Sequence, residues 1–195
     1  MNFNNHVNII KDKLSRERFT HSLRVADTAL EMARGRPVDH EKLYLAALLH
    51  DYAKDLPPQE LLDIARENGL LTCRAEEVQP DLLHGPVGAW LCSRDLLVDD
   101  AQVLQAIRFH TTGHAGMSLL DAIIYLADLI EPAREFEGAA EIRRHCAQDI
   151  WTGLFYAFDA TLLYVIKRGL LIHPYTVEAR NWLLDKNNMG ELYEE

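Results

Sequence analysis

The spacing of the apolar residues is the feature that most restricts the fold. Nearly every periodic segment repeats its apolar residues at i, i+3, i+4 and i+7, which is the spacing of one face of an α-helix. Between residues 16 and 34, for example, Phe19, Leu23, Ala26, Leu30 and Ala33 fall on one such face. No segment shows a convincing strand alternation, so the pattern predicts an all-α protein.

Capping residues, prolines and glycines divide this pattern into separate helices. Gly35 and Pro37 end the first helix, Asp39 caps the second, and Pro57-Pro58 opens the third. The predicted helices cover approximately residues 16–34, 40–54, 58–67, 84–97, 100–109 and 118–130, followed by two helices within 139–188 that are interrupted at 169–174.

Composition limits the class of protein. A chain of 195 residues with 48% hydrophobic and 26% charged residues predicts one globular domain, residues 1–195, that needs no structural metal. The net charge of −10 argues against a nucleic-acid backbone as partner. No apolar stretch is long enough to cross a membrane, and three widely spaced cysteines suit a reducing compartment. We therefore expect a cytoplasmic protein without nucleic-acid or membrane partners.

Several titratable residues occupy positions where a helix would carry them into the interior. His50 and Asp51 directly follow the apolar run LYLAALL, and Asp128 interrupts the run LLDAIIYLADLI. A buried carboxylate is costly unless a cation or several hydrogen-bond donors compensate it. With three more histidines, these positions form a set of six: His21, His50, Asp51, His84, His110 and Asp128.

Each residue of this set also has an ordinary explanation, as a core histidine, a helix cap or an ion-pair member. Capping explains Asp121, which forms a capping box with Ser118, but it does not explain Asp128 in the middle of its helix. One metal centre accounts for all six residues together. Imidazole and carboxylate ligands suit Fe, Mn, Zn or Ni, and the adjacent pair His50-Asp51 predicts one metal on the imidazole and a carboxylate bridge to a second.

The segments around these residues resemble the HD superfamily, in which a histidine, a His-Asp pair, two further histidines and an aspartate follow in order. Within it the chain is similar to the YqeK-like subgroup. The similarity defines a motif-bearing core at about residues 16–134, which a C-terminal helical segment follows at about 139–188. The segments that carry it are RFTHSLRVADTAL, ALLHDYAKDLP, LLHGPVGAW, AIRFHTTG, IIYLADLIEPAR and, near the C-terminus, LIHPYTVEARN.

The resemblance implies a single-domain HD-type helical bundle with two divalent metal ions. Iron is the expected metal, and Mn, Co, Ni, Zn or Mg are the alternatives. The implied reaction is the symmetrical hydrolysis of diadenosine tetraphosphate to two ADP, with a hydroxide that bridges the metals as nucleophile. The implied ligands of the first ion are His21, His50, Asp51 and Asp128. Asp51 bridges to the second ion, whose other implied ligands are His84 and His110.

Two basic residues near the predicted centre are candidates for phosphate binding. Lys54 lies one turn after His50 on a helical reading, so we assign it to phosphate binding and to stabilisation of charge in the transition state. A solvated lysine is the alternative. Arg134 is the second candidate, because a guanidinium matches phosphate oxygens, although an exposed arginine beyond a helix end is equally consistent. Asp55 either orients Lys54 or a water, or caps the next helix.

The residues that follow His110 are further candidates for substrate binding. Thr111, Thr112 and Gly113 offer hydroxyl and backbone N–H groups to phosphate oxygens. His114 stands at a position that is commonly arginine in the subgroup, which predicts weaker and pH-dependent phosphate binding there.

The four remaining histidines match no ligand position of the pattern. We expect His6, His40 and His145 at the surface, whereas the role of His173 is open because the segment around it resembles the family. The aromatic residues of the C-terminal helices are expected in the core, or at a homodimer interface, rather than in a base-stacking platform: Trp151, Phe155, Tyr156 and Phe158.

Two other functions stay open on the sequence. The same metal site would serve the hydrolysis of a nucleoside mono- or triphosphate or of (p)ppGpp, and only the flanking segments favour a dinucleoside polyphosphate. A non-catalytic module that senses nucleotides would bind them without turnover. Such a module has no physical need for a bridging carboxylate and a second metal.

Overall fold

The computed structural model describes the backbone of residues 3–187 and the side chains of residues 6–185. This part of the chain contains α-helices, one 3-10 helix at Pro80–Leu83 and no strand, which confirms the all-α prediction. Residue 188 of the predicted last helix and the ends of the predicted domain, residues 1–2 and 188–195, lie outside the described residues. The helices are α1 (Phe3–Lys13), α2 (Arg16–Met32), α3 (His40–Leu49), α4 (Pro58–Glu67), α5 (Arg74–Val78), α6 (His84–Leu96), α7 (Ala101–Phe109), α8 (Leu119–Ile130), α9 (Ala139–Gln148), α10 (Ile150–Lys167) and α11 (Pro174–Asn187).

The predicted helix starts follow from capping chemistry. Asp39 caps α3, its side chain accepting hydrogen bonds from the backbone N–H groups of Glu41 (2.9 Å) and Lys42 (3.1 Å). Ser118 and Asp121 form the predicted capping box at the start of α8. Because these side chains satisfy N–H groups that have no partner within the helix, short polar residues fix where each helix begins.

Some helix boundaries differ from the prediction. α1, α5 and the 3-10 helix were not predicted from the sequence. The first of the two helices predicted after residue 139 is in fact two, α9 and α10. Asp149 between them is extended (φ −151°, ψ 132°), and its side chain accepts the backbone N–H of Thr152 at 2.7 Å. The aspartate therefore starts a new helix instead of continuing the old one.

The second predicted helix, residues 40–54, extends too far at its C-terminus. α3 ends at Leu49 rather than at residue 54, and turns follow, with the N–H of Tyr52 donating to Leu49 O and that of Lys54 to Asp51 O. The sequence predicted that Lys54 shares a helix face with His50, and this prediction is wrong because the helix ends before both residues. The chain turns directly after the apolar run, so His50 and Asp51 stand at a helix end.

The core is centred on α8, which is apolar on all sides except at the capping residue Asp121 in its first turn and at Asp128. Ile123, Ile124 and Leu126 are fully buried, and α8 contacts α2, α3, α7, α9 and α10. Because α8 is surrounded, Asp128 is presented to the neighbouring helices. Of the C-terminal helices, α9 and α10 pack on the same α8 and α11 packs on α10, so the described chain forms one helical bundle.

The exposed apolar residues concentrate at the end of α10 and in the loop after it. Leu163 is 55% exposed and Ile166 58%, and Leu170, Leu171 and Ile172 are each at least 39% exposed. None of the described helices combines the length and the apolar character needed to cross a bilayer.

Candidate metal centre

The fold brings the six predicted ligands together from five places in the chain. Five of the six residues are at most 4% exposed, and the side chain of the sixth, Asp128, is 21% exposed. Each set of three that could hold an ion is drawn from these residues, apart from one set described below. The positions are His21 in α2, His50 and Asp51 in the turn after α3, His84 at the start of α6, His110 directly after α7, and Asp128 in α8.

The carboxylate of Asp51 lies between two groups of imidazoles. Its Oδ2 is 3.7 Å from Nε2 of His21 and 3.5 Å from Nε2 of His50. Its Oδ1 is 3.3 Å from Nε2 of His84 and 3.7 Å from Nε2 of His110. One carboxylate therefore faces both groups of imidazoles, which is the placement that a bridging ligand needs.

Asp128 belongs to one of these groups only. Its Oδ1 is 3.0 Å from Nε2 of His21 and 3.8 Å from Nε2 of His50. We call the set His21, His50, Asp128 and Asp51 Oδ2 the first half-site. The second half-site consists of His84, His110 and Asp51 Oδ1. The first thus has two carboxylates and the second has one.

Three of the histidines are oriented by the same kind of local hydrogen bond to the backbone. The Nδ1–H groups of His50, His84 and His110 each donate to the carbonyl three residues earlier, on Ala47 (2.7 Å), Asp81 and Ile107 (2.8 Å). Each histidine directly follows a helix, and the last carbonyls of a helix have no partner within it. Because a carbonyl can only accept, the proton lies on Nδ1, and Nε2 is left as a lone-pair donor that points into the centre.

This arrangement of lone pairs fits a bound cation. Nε2 of His84 and Nε2 of His110 are only 2.9 Å apart, a separation that suits two ligands of one ion at about 2.0–2.1 Å each. Nε2 of His50 is buried without any hydrogen-bond partner. Buried polar atoms are almost always paired, so the orphaned nitrogen indicates a missing positive partner. The residues fit divalent metal ions in both half-sites.

The electrostatics of the first half-site also favour positive charge. Burial lowers the pKa of His50, but the carboxylates of Asp51 and Asp128 outweigh it and raise the pKa above the ordinary value. Burial likewise raises the pKa of Asp51, yet the imidazoles of His50, His110 and His84 hold that pKa well below its usual range. The carboxylates therefore stay ionised and attract a cation to the place where His50 has no partner.

The second half-site behaves differently. The pKa of His110 is lowered to about 4, chiefly by burial and also by the nearby His84 and His50, against the opposing effect of Asp51. The ring is therefore neutral at physiological pH, which is the form that binds a metal. The pKa of His50 in the first half-site and that of His110 in the second are thus shifted in opposite directions.

His21 is oriented by a carboxylate that the sequence reasoning missed. Its Nδ1 lies 3.2 Å from Oε1 of Glu131, which is 2% exposed. Arg24 holds the same carboxylate with two hydrogen bonds, of 2.7 and 3.2 Å. The sequence did contain a signal for this contact. Arg24 lies three residues after His21 on α2, and Glu131 lies three residues after Asp128, which is the spacing of neighbours on one helix face.

Two arginines lie against the carboxylates of the centre. Nη1 of Arg18 is 2.9 Å from Oδ2 of Asp51, and Nη2 of Arg134 is 2.8 Å from Oδ1 of Asp128. The sequence reasoning named Arg134 but missed Arg18, although Arg18 precedes His21 by three residues on α2. Both guanidinium groups are half-buried at the edge of the centre, where an anionic ligand would meet them.

Gly85 fixes the distance between two of the ligands. A Cβ at this position would lie 2.6 Å from the carbonyl oxygen of Arg108. The absence of a side chain at this position lets the start of α6 touch the end of α7, which brings His84 next to His110.

Two of the predicted substrate-binding residues lie against the ligands. The hydroxyl of Thr111 is 3.2 Å from Nε2 of His84 and 3.1 Å from Nε2 of His110. Nζ of Lys54 is 3.4 Å from Nδ1 of His84. Since that Nδ1 carries a proton that it donates to Asp81, it does not accept one from Lys54, whose protons remain for another acceptor. Asp55 accepts the backbone N–H of Ser15 at 2.7 Å.

The other predicted substrate-binding residues have contacts within the fold. The hydroxyl of Thr112 donates to the carbonyl of Gly113, and a Cβ on Gly113 would lie 2.6 Å from the ring of Phe158. The ring of His114 packs on Phe109, and its Nε2 is 3.5 Å from Oδ2 of Asp121. Their role in substrate binding stays a prediction.

The histidines outside the centre have varied environments. His40 is exposed, as predicted, but His6 and His145 are half-buried, which the prediction of surface positions did not anticipate. His173 is 5% exposed, and its Nε2 lies 3.2 Å from Oε1 of Glu76. Glu76 also accepts the backbone N–H of Thr72 and that of Cys73, so His173 anchors the segment before α11 to the start of α5. The set Cys73, Glu76 and His173 could geometrically hold an ion, but its donors are already hydrogen-bonded in this way.

A large cleft opens beside the centre. It has a volume of about 810 Å³ and lies between α8, the loop 131–138, α9 and α10. We call it the α9–α10 cleft. Of the aromatic residues that we expected in the core, Phe155 and Phe158 are fully buried, whereas Trp151 and Tyr156 are half-buried and pack against the core. Tyr156 also lines this cleft, which the sequence did not predict.

The comparisons with known proteins agree with this geometry. A family model described as the HD domain matches residues 18–133 of the chain. The symmetrical bis(5'-nucleosyl)-tetraphosphatase of Bacillus subtilis (strain 168) is 38% identical over 176 residues, which cover 90% of this chain and 94% of that protein. The protein of the same name from Halalkalibacterium halodurans is 36% identical over 184 residues, covering 94% and 98%.

A solved structure matches over almost the whole chain. It is a crystal structure from Clostridium acetobutylicum of a predicted HD superfamily hydrolase described as involved in NAD metabolism. The two structures superpose with a TM-score of 0.90 at 39% identity, covering 96% of this chain and 99% of the other. The family prediction and the predicted single-domain HD-type bundle are confirmed. The chain belongs to the HD domain family and, within it, to the family of the symmetrical bis(5'-nucleosyl)-tetraphosphatases.

Proposed function

We propose that the protein is a metal-dependent phosphohydrolase that cleaves diadenosine tetraphosphate symmetrically into two ADP. The observation that carries this proposal is the position of Asp51, whose two oxygens each face a separate group of imidazole nitrogens. Two adjacent ion sites that share a carboxylate are the arrangement used for in-line displacement at phosphorus. The substrate is proposed from the relatives, which carry the name of that activity.

The ligands divide as the half-sites do. His21, His50, Asp128 and Asp51 would hold one divalent ion, and Asp51, His84 and His110 the other. When bound, such a pair of ions activates water as a nucleophile and neutralises charge on the phosphoryl oxygens. Iron is the proposed metal, on the resemblance, and the mixed imidazole and carboxylate ligands also suit Mn, Co, Ni and Zn, with Mg as a weaker fit.

The chain's own cations bind and orient the polyphosphate. Arg134 at Asp128 and Lys54 at His84 stand on opposite half-sites, so each can take oxygens of a different phosphate. Thr111, within 3.2 Å of both Nε2 atoms of the second half-site, offers a hydroxyl to the same group. Glu131 keeps His21 in the orientation that directs its Nε2 inward. These groups stabilise the charge that shifts onto the departing ADP oxygen.

The test is incubation of the purified protein with diadenosine tetraphosphate, with and without added Fe, Mn, Co or Mg, followed by chromatography. We expect ADP as the sole product and loss of activity with chelator. The His50→Ala variant should be inactive, whereas the matched His40→Ala variant, at an exposed histidine, should keep full activity. AMP plus ATP as products would contradict symmetrical cleavage, and no turnover by metal-loaded protein would contradict the proposed substrate.

The same assay distinguishes two alternative functions from the proposed one. Turnover of a nucleoside mono- or triphosphate or of (p)ppGpp, without turnover of the dinucleotide, would make the protein a different HD phosphohydrolase. Nucleotide binding without any turnover would make it a sensing module. A nucleotide partner is common to all three.

The location and the oligomeric state stay predictions. A cytoplasmic location is proposed from the three dispersed cysteines, which are free in the structure. A homodimer is proposed from the exposed apolar residues at the end of α10, among them Ile166, Leu171 and Ile172. Sedimentation of the wild type and of an Ile166→Glu variant would test it, and a monomeric wild type would contradict it.

A further inference from the structure

The turn that follows α8 carries two side chains that support the metal centre. We call residues 131–134 the α8–α9 turn, and within it the N–H of Arg134 donates to Glu131 O at 2.8 Å. The carboxylate of Glu131 orients His21, and Nη2 of Arg134 is 2.8 Å from Oδ1 of Asp128. The directions of both side chains therefore depend on where the backbone of this turn lies.

An arginine of α9 holds the backbone of this turn. Nε of Arg143 donates to Ile130 O at 2.9 Å, and its Nη2 donates to Glu131 O at 3.1 Å and to Arg134 O at 2.7 Å. The last carbonyls of a helix have no partner within it, and a positive charge is favourable there. Because a guanidinium presents several N–H groups in one rigid plane, this single side chain spans the turn from its beginning to its end.

Two further hydrogen bonds form between α8 and the turn itself. Oε2 of Glu131 accepts the backbone N–H of Ala133 at 2.8 Å, and Nε of Arg134 donates to Asp128 O at 3.1 Å. These bonds give the turn its local shape. The bonds from Arg143 instead attach its backbone to α9, a helix that packs on α10 as well as on α8. Arg143 therefore fixes the turn relative to the rest of the bundle.

The neighbouring arginine has a different environment. Arg143 is half-buried and is not one of the residues that line the α9–α10 cleft. The side chain of Arg144 is 65% exposed and bonds to Glu141 of the same helix at 3.4 Å. The two adjacent residues have the same chemistry and the same helix, but one of them alone holds the turn. They form a matched pair for an experiment.

We infer that Arg143 is a positioning residue of the metal centre. By fixing the α8–α9 turn, it directs Glu131 toward His21 and Arg134 toward Asp128. It acts through these two side chains and not by contact with the substrate. The inference rests on the proposed function for the reaction that the centre catalyses, whereas the effects on a metal ion and on a phosphate can be measured without that reaction.

The first test is calorimetric titration of Mn²⁺ into the metal-free protein. We expect Arg143→Met to weaken the tighter of the two binding steps, that of the more negative first half-site, by about tenfold and the other step by less than about twofold, because a displaced partner of a metal-binding histidine affects that ion alone. Arg143→Lys keeps the charge but not the rigid fork of donors, so its loss should be smaller. The Arg144→Met control should bind both ions as the wild type does.

The second test asks which side chains transmit the effect. In a Glu131→Gln background, Arg143→Met should cause little further loss of Mn²⁺ affinity, because residues that act through one another are not additive. With saturating Mn²⁺, Arg143→Met should bind inorganic pyrophosphate about fivefold more weakly, since a displaced Arg134 no longer matches the phosphate oxygens. KM for diadenosine tetraphosphate should then rise while kcat changes little.

Equal weakening of both Mn²⁺ steps would overturn the inference, because it would show a general effect on the fold. Unchanged affinities for Mn²⁺ and pyrophosphate in Arg143→Met would overturn it as well, as would full additivity with Glu131→Gln. If Arg143→Met does not fold, Arg143→Lys decides, and wild-type affinities in that variant contradict the inference. Failure of the proposed function looks different: the wild type then does not hydrolyse diadenosine tetraphosphate, yet Arg143→Met still weakens the tighter Mn²⁺ step.

Discussion

The two half-sites of the metal centre are built from the same kinds of ligand but are supported differently. In the first half-site, His50 is oriented by a backbone carbonyl, but His21 is oriented by the side chain of Glu131, which Arg24 holds in turn. Arg18 and Arg134 lie on the carboxylates of this half-site. In the second half-site, His84 and His110 are oriented by backbone carbonyls at helix ends. One centre can therefore combine a histidine that a charged side chain orients with histidines that neutral backbone carbonyls orient.

This difference has consequences for metal binding. The first half-site offers two carboxylate oxygens and raises the pKa of His50, so a proton competes with the metal there. The second offers one carboxylate oxygen and keeps His110 neutral, with a pKa of about 4. We therefore expect the ions to differ in affinity and in pH dependence, with the more negative first half-site holding its ion more tightly.

The largest effect is expected where the half-sites meet. The Asp51→Ala variant removes the only residue common to both, and it should lower kcat/KM by about 10³-fold or more, which is about 4 kcal/mol of transition-state stabilisation. Asp128→Ala should affect only the first half-site. Measured by atomic emission, Asp51→Ala should retain fewer than the two ions per chain of the wild type. The exposed Asp63→Ala is the matched control, and full activity of Asp51→Ala would contradict the shared-carboxylate reading.

The stability of the metal-free protein should depend on pH in opposite ways through the two half-sites. The folded pKa of His110, about 4, lies below that of the unfolded chain, near 6.5, so protonation of the unfolded chain destabilises the fold as pH falls through this window. The loss reaches about 3 kcal/mol at most. The folded pKa of His50 is raised, so its contribution is present below about 6.5 and disappears as pH rises through its folded pKa.

Denaturant unfolding of chelator-treated protein between pH 4 and pH 8 measures both slopes. His110→Gln should flatten the loss of stability toward acid, and His50→Gln should flatten the loss toward neutral pH. Identical pH profiles for the two variants would show that the half-sites do not differ in protonation.

A smaller effect is expected when a side chain added at Gly85 pushes α6 away from α7. The added methyl of Gly85→Ala meets the carbonyl oxygen of Arg108 at 2.6 Å, so the helices must separate, at a cost of about 2 kcal/mol of stability. His84 then moves from His110, and the second ion should bind more weakly. Gly153→Ala is the control, because its methyl would meet Sγ of Cys146 at 2.3 Å, away from the centre. It should lose stability without losing metal affinity, as measured by competition with a chelating dye.

The smallest effect is expected from the support of His21. Glu131→Gln keeps the shape of the side chain but removes the charge that orients His21, and metal affinity of the first half-site should fall by about tenfold. The second half-site should be unaffected. The exposed Glu60→Gln serves as control, and equal weakening of both ions would show that Glu131 acts on the fold rather than on His21.

The sequence singled out the six residues that the fold brings together, because their chemical conflict is local. A histidine and an aspartate directly after an apolar run, and an aspartate inside one, are conspicuous in the chain itself, and their order matched a known family. It failed for Glu131 and Arg18, whose roles depend on contacts with α2 and with Asp51 across more than 30 residues of chain. For Tyr156 the helical pattern predicted contact with the core, which is observed, but it did not show that the residue also lines a cleft.

The sequence by itself determined most of the helices and of their starts, the six titratable residues that the fold brings together, and the family. Capping and periodicity are local effects, so they can be read from neighbouring residues. Only the tertiary structure decided that the ligands divide into two half-sites, that helix-end carbonyls orient three of the histidines, and that α9 and α10 leave a cleft beside them. Those features depend on distances between helices, which packing sets and which no single segment of the chain contains.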